Sequence, residues 1–122
     1  MDQVLEKSFD FSIRIIELVK YLNEEKKPFP LSERLLACVA EMGVCLRLAE
    51  LTGEKSAGVR QALSCAVEAE YLLEAMVKTG YLTEKQSRPV IGGCRALKSL
   101  IAGLLQKKDA RKKSPAPGTR KS

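Results

Sequence analysis

Residues 59–86 read VRQALSCAVEAEYLLEAMVKTGYLTEKQ, and this stretch decides the fold. Val59, Leu63, Ala66, Glu70, Leu73 and Val77 recur at alternating spacings of four and three, with Ala62, Ala69 and Met76 beside them. That period marks an α-helix with one buried face. Gly80 follows it, and glycine is the residue that accepts left-handed geometry past a helix C-terminus. Thr83 and Gln86 then form a capping box, in which each side chain reaches the other residue's backbone N–H. The next helix therefore begins near Glu84, and two long helices joined by so short a turn are expected to lie antiparallel. Glu70 is the single charge on its row, and an Arg from a neighbouring helix is its expected partner.

The same reading extends in both directions. A first helix is predicted from near Gln3 to about Glu25, with Phe11, Ile15, Leu18 and Leu22 as its stripe. Leu5, Phe9, Ile13, Ile16 and Val19 widen that stripe, so the helix is expected to be buried against more than one neighbour. The run Lys26-Lys27-Pro28-Phe29-Pro30 ends it, because proline disfavours helix within and before itself. Ser32 is the predicted N-cap of a second helix, with Glu33 at its positive end. Leu35, Val39, Met42, Leu46 and Ala49 form the stripe, and Thr52-Gly53 the stop. In the fourth helix Val90, Cys94, Leu97, Ile101 and Leu104 repeat, and a kink or restart is expected at Arg88-Pro89. Gly92-Gly93 inside this helix cost about 1 kcal/mol each against Ala, so close approach of another helix, within the bundle or between subunits, is expected there. The pattern fades at Gln106-Lys107-Lys108.

No period-two run of β-branched residues competes. The fold class is thus all-α, an antiparallel up-down-up-down four-helix bundle over residues 1–106, with a disordered basic tail over residues 107–122. A chain of 122 residues suits one domain. Fourteen Lys or Arg balance fourteen Asp or Glu in residues 1–106, so the net charge of +6 sits wholly in the tail.

Cys38, Cys45, Cys65 and Cys94 form no C-x-x-C pair. Cys38 and Cys45 lie two helical turns apart, about 10.5 Å of rise, too far for a disulfide between them. Reduced thiols packed in the core of a cytoplasmic protein are the expectation. The N-terminus, with Asp2 and Glu6, does not read as a targeting peptide. No apolar run approaches the roughly 18–20 residues of a membrane span.

Catalytic chemistry is poorly supplied. Histidine is absent, which removes the commonest general base and zinc ligand. The Glu-x-x-His pairs of di-metal bundles are impossible for the same reason. Glu68, Glu70 and Glu74 cluster on the third helix, but a solvated or ion-paired face is the reading the spacing supports over acid–base work. No phosphate-binding glycine loop occurs. No catalytic residue, metal or cofactor is therefore assigned. Lys107, Lys108, Arg111, Lys112, Lys113, Arg120 and Lys121 could contact phosphates in a salt-dependent way, or could only aid solubility. No aromatic is interleaved among them for base stacking.

Several segments together resemble a family. The run Phe9-Asp10-Phe11-Ser12-Ile13-Arg14-Ile15-Ile16-Glu17-Leu18, continuing to Tyr21-Leu22, is similar to the opening helix of the four-helix-bundle proteins encoded in ribosomal-RNA intervening sequences. Leu31-Ser32 with Leu35-Leu36, Glu68-Ala69-Glu70-Tyr71-Leu72-Leu73, and Thr79-Gly80-Tyr81-Leu82-Thr83-Glu84-Lys85 resemble later segments of that family in the same order. The second helix departs from it. The family's Ser-Ile-Gly-Ala-Asn-Ile-Ala-Glu signature is here Glu41-Met42-Gly43-Val44-Cys45-Leu46-Arg47-Leu48, with only the glycine kept.

The resemblance implies homo-oligomers, typically pentameric rings. A related branch, the accessory variability determinant of diversity-generating retroelements, implies binding of a reverse transcriptase and nucleic acid. The leading expectation is accordingly a non-catalytic oligomer that binds RNA or DNA, as an accessory to a reverse transcriptase. Its body contacts would come from Arg14, Lys20, Arg47, Arg60, Arg88, Arg95 and Lys98, joined by the tail cations. The alternative is a structural or protein-interaction oligomer, which an exposed apolar face on the first helix would favour.

Overall fold

The computed structural model of the chain describes the backbone of residues 1–113 and the side chains of residues 1–106. It contains four helices: α1 (Asp2–Glu24), α2 (Ser32–Thr52), α3 (Lys55–Lys78) and α4 (Glu84–Lys113). No strand occurs among the described residues. Each helix packs on the next, and α1 closes the ring of contacts against α4. The α2–α3 contact is the most extensive and the α1–α4 contact the least. The bundle is therefore square, and the α1–α2 side lies across the core from the α3–α4 side.

The stops follow local chemistry. Gly53 at φ 77° and Gly80 at φ 88° adopt the left-handed conformation that ends α2 and α3. The capping box forms in full: Thr83 N–H donates to Gln86 Oε1 at 2.9 Å, and Gln86 N–H to Thr83 Oγ1 at 3.1 Å. α1 ends before its prolines take effect. Lys26 is left-handed at φ 59°, and the Lys27 N–H turns back to the Leu22 carbonyl at 2.9 Å.

Three expectations are corrected. Ser32 is not the N-cap of α2. Leu31 holds that position, and Ser32 is its first helical residue, its hydroxyl buried without a partner. Of the kink or restart expected at Arg88-Pro89, the restart does not occur, and α4 runs on through Pro89. Proline in the second turn removes one bond, to the carbonyl of Lys85, and Lys85 is exposed, where water can take that role. Nor does α4 fade at Gln106: its backbone stays helical to Lys113. Lys, Ala and Arg are good helix formers, and cations suit a helix C-terminus. The rest of the expected disordered tail, residues 114–122, lies outside the described residues.

The core is one cluster drawn from all four helices. Ile15, Leu35, Met42, Leu46, Ala62, Ala69, Met76 and Ile101 are completely inaccessible to solvent. α3 is rotated from the expected seam, with Cys65, Ala66, Leu72 and Leu73 inside and Leu63, Glu70 and Val77 at the edge. Small residues let α2 and α3 come close: a Cβ on Gly58 would stand 3.0 Å from the Cys45 carbonyl oxygen. All four cysteines are free thiols, and Cys38, Cys65 and Cys94 are buried. Burial, first among the causes, pushes Cys38 and Cys94 up to about 12 and Cys65 to about 11. They stay protonated and unreactive at neutral pH.

Candidate interaction surface

Charge and apolar area are arranged differently on the two sides of the bundle. On the α3–α4 side, Arg95 Nε meets Glu70 Oε2 at 2.7 Å and Arg95 Nη2 meets Glu74 Oε2 at 3.0 Å. Lys98 Nζ takes the other Glu70 oxygen. This is the partner predicted for Glu70, with a lysine added. The hydrogen bonds from Lys98 and Arg95 hold the Glu70 carboxyl below its ordinary range. A depressed carboxylate stabilises the fold above its unfolded pKa, and that contribution is lost as pH falls through the folded pKa. Glu70→Gln should therefore cost about 1 kcal/mol at neutral pH. Its deficit against the unmodified chain should shrink in acid. Denaturant melts at both pH values would check this, and a deficit independent of pH would contradict it.

A groove of about 730 Å³ runs beside this network between α3 and α4, lined by Tyr71, Ala75, Lys78, Arg88, Ile91 and Gly92 among others. Tyr71 stands on its rim, 69% exposed. It is open and holds no carboxylate pair set apart from cations, so the acid–base reading of Glu70 and Glu74 gains no support. Glu68 is likewise engaged, by Arg34 of α2.

The α1–α2 side carries large apolar side chains among its exposed charges. Phe9, Ile13 and Ile16 were expected inside, yet they are 51%, 40% and 50% exposed. The buried row of α1 is Val4, Ser8, Phe11, Ile15, Val19 and Leu22, and one bundle core cannot cover the wider arc. Across the seam Val44, Leu48 and Leu51 are exposed on α2. The guanidinium of Arg47 lies 5.2 Å from the Phe9 ring centroid, within cation–π range. Phe9 and Val44 line one groove between the two helices, together with Gly43. Sequence reasoning passed over the α2 half of this face. Its signal was available in Val44, Leu48 and Leu51, which repeat at spacings of four and three on the helix face opposite the core stripe.

The candidate body cations do not converge. Arg88, Arg95 and Lys98 share the α3-facing flank of α4, where Arg95 and Lys98 are neutralised by Glu70 and Glu74. Arg14 sits on the other flank and donates from Nη1 to the Pro89 carbonyl at 3.3 Å. Arg47 belongs to the α1–α2 side, Lys20 to the exposed surface of α1 and Arg60 to that of α3. The side chains of Lys107, Lys108, Arg111, Lys112 and Lys113, and the whole of Arg120 and Lys121, lie outside the described residues. Among the described residues no group of His, Cys, Asp or Glu could hold a metal ion, and no helix is long and apolar enough to cross a membrane.

No model of a protein family and no curated protein matches the chain. Among solved structures it is similar to a protein of unknown function from the S23 ribosomal protein family of Bacteroides thetaiotaomicron. The two are 30% identical, with a TM-score of 0.78, over 84% of this chain and 97% of the other. The chain belongs to the S23 ribosomal protein family. The shared span is of the size of the bundle itself, so the S23 relationship concerns the helical body and the faces described above.

Proposed function

We propose that this S23-family bundle is a non-catalytic interaction module that self-associates through the apolar face of α1 and α2. The observation that carries this reading is the row Phe9, Ile13 and Ile16 beside Val44, Leu48 and Leu51, all at least 40% exposed. Phe9 and Val44 meet in one groove, and exposed apolar side chains gathered on one side of a folded surface mark a protein contact. The resemblance of α1 to the opening helix of the intervening-sequence proteins, which form rings, points the same way, and a pentamer is the stoichiometry it favours.

A second reading is supported by charge. The excess of basic residues in 107–122 suits binding to RNA or DNA phosphates, in the manner of an accessory to a reverse transcriptase. The body contributes less to such binding than the sequence suggested, because Arg95 and Lys98 are already paired. The compartment we propose is the cytoplasm, which four unpaired cysteines suit.

One experiment addresses both: the mass of the full-length chain over a dilution series, with labelled RNA and DNA titrated at several salt concentrations. Mass above the 13.5 kDa of one chain is expected. A monomer at every concentration would overturn the first reading. Binding that weakens steeply with salt, and disappears when Lys107, Lys108, Arg111, Lys112 and Lys113 are changed to Glu, is expected of the second. Absence of binding at low salt would overturn it.

A further inference from the structure

We infer that the groove between α3 and α4 is the receptor for the apolar α1 face of a second copy, so that the contact joins opposite sides of the bundle. The inference rests on the self-association reading and says which surface meets which.

Gly92 is the first support. A glycine inside a helix costs about 1 kcal/mol against Ala. Packing within the bundle gives no return for that cost, since a Cβ there would meet nothing within 4 Å. Gly92 instead bares the backbone on the wall of the groove, where an outside helix can come close. The groove beside it carries the apolar atoms of Ala75 and Ile91 and the exposed ring of Tyr71.

Charge is the second support. Among the described residues Lys78 and Arg88 on the groove make no ion pair, and Glu84 is the one unpaired acid beside them, Glu74 being taken by Arg95. The exposed surface of α1 is its complement. Glu6, Asp10 and Glu17 flank Ile13 at helical spacing, all exposed, and outnumber the cations of the same face, Lys20 on α1 and Arg47 over Phe9. An acidic helix with apolar knobs thus faces a cationic groove with an apolar floor.

Geometry is the third. In the square bundle the α1–α2 side lies opposite the α3–α4 side. A contact between unlike faces is heterologous and leaves one face of each kind open on every dimer, so it adds further copies, into a ring where the rotation closes and a filament where it does not.

The test uses full-length chains and solution mass. Ile13→Asp disables the knob and Gly92→Gln fills the groove. Each variant alone is expected to be monomeric, while an equimolar mixture forms a dimer of twice the monomer mass and nothing larger. Gln is a better helix former than Gly, so the second variant should keep full helix content. As an independent variant, Arg88→Glu should weaken association about tenfold, the order of one charge-assisted contact. A Gly92→Gln chain that keeps the parent mass, or a mixture that gives no dimer, overturns the assignment and returns the groove to some other partner. A monomeric parent chain overturns the self-association reading itself.

Discussion

Ile13→Asp is expected to convert the assembled protein into a 13.5 kDa monomer with its helices intact. Ile13 is 40% exposed and sits between Phe9 and Ile16 on the outer arc of α1. Covering the part of Ile13 that is still exposed contributes about 1 kcal/mol per contact. An ionised carboxylate in its place adds a desolvation cost of several kcal/mol when the face is covered. Together these amount to a loss of roughly a thousandfold or more in association. The isolated bundle should tolerate the change, because the position faces solvent there. Sedimentation or light scattering reports the mass, and far-UV circular dichroism the helix content. Retained mass would move the contact away from α1. Loss of helix content would mean that Ile13 supports the bundle itself.

The largest effect on stability is expected at Gly58. A Cβ there would lie 3.0 Å from the Cys45 carbonyl oxygen and 3.1 Å from the Ala49 Cβ. The first neighbour is backbone, so relief requires α2 and α3 to separate along the most extensive helix pair in the bundle. Gly58→Leu should cost about 2–3 kcal/mol after the gain in helix propensity. That is a melting temperature lower by roughly 10 °C. Gly58→Ala should show the same sign with smaller size. Gly92→Ala in the Ile13→Asp monomer should raise stability by up to about 1 kcal/mol, since nothing stands in its way. Two glycines in helices thus respond oppositely to one methyl group. Equal responses in thermal melts would contradict the close α2–α3 approach.

The bundle was legible because its signals are local. The stripe from Leu35 to Ala49 is buried, and the Thr83–Gln86 box and the glycine stops at Gly53 and Gly80 also appear in the structure. Even the partnership of Glu70 with an arginine could be read, because a lone carboxylate on an apolar row needs a cation. What escaped depends on how far around each helix its neighbours reach. Periodicity shows that Phe9, Ile13 and Ile16 are apolar, but not whether this chain covers them. α3 looked centred on Glu70, whereas its alanines allow it to turn and press Ala62, Ala66 and Ala69 inward. The cations mislead for a related reason. Arg95 and Lys98 look available in the sequence and are occupied in the fold, by carboxylates 21 to 28 residues away.

Phe29 is buried in the connection between α1 and α2, and its ring meets Tyr81 edge-on, with centroids 5.3 Å apart. Tyr81 belongs to the connection between α3 and α4, so one aromatic pair fastens both turns at the same end of the bundle. At the opposite end α1 begins at Met1 and α3 at Glu54, neither with a side-chain cap. Breathing of the fold is therefore directional. Amide protons near the start of α1 and the α2–α3 turn should exchange with solvent early and those around the fastened turns late, as in a book held at its clasped edge.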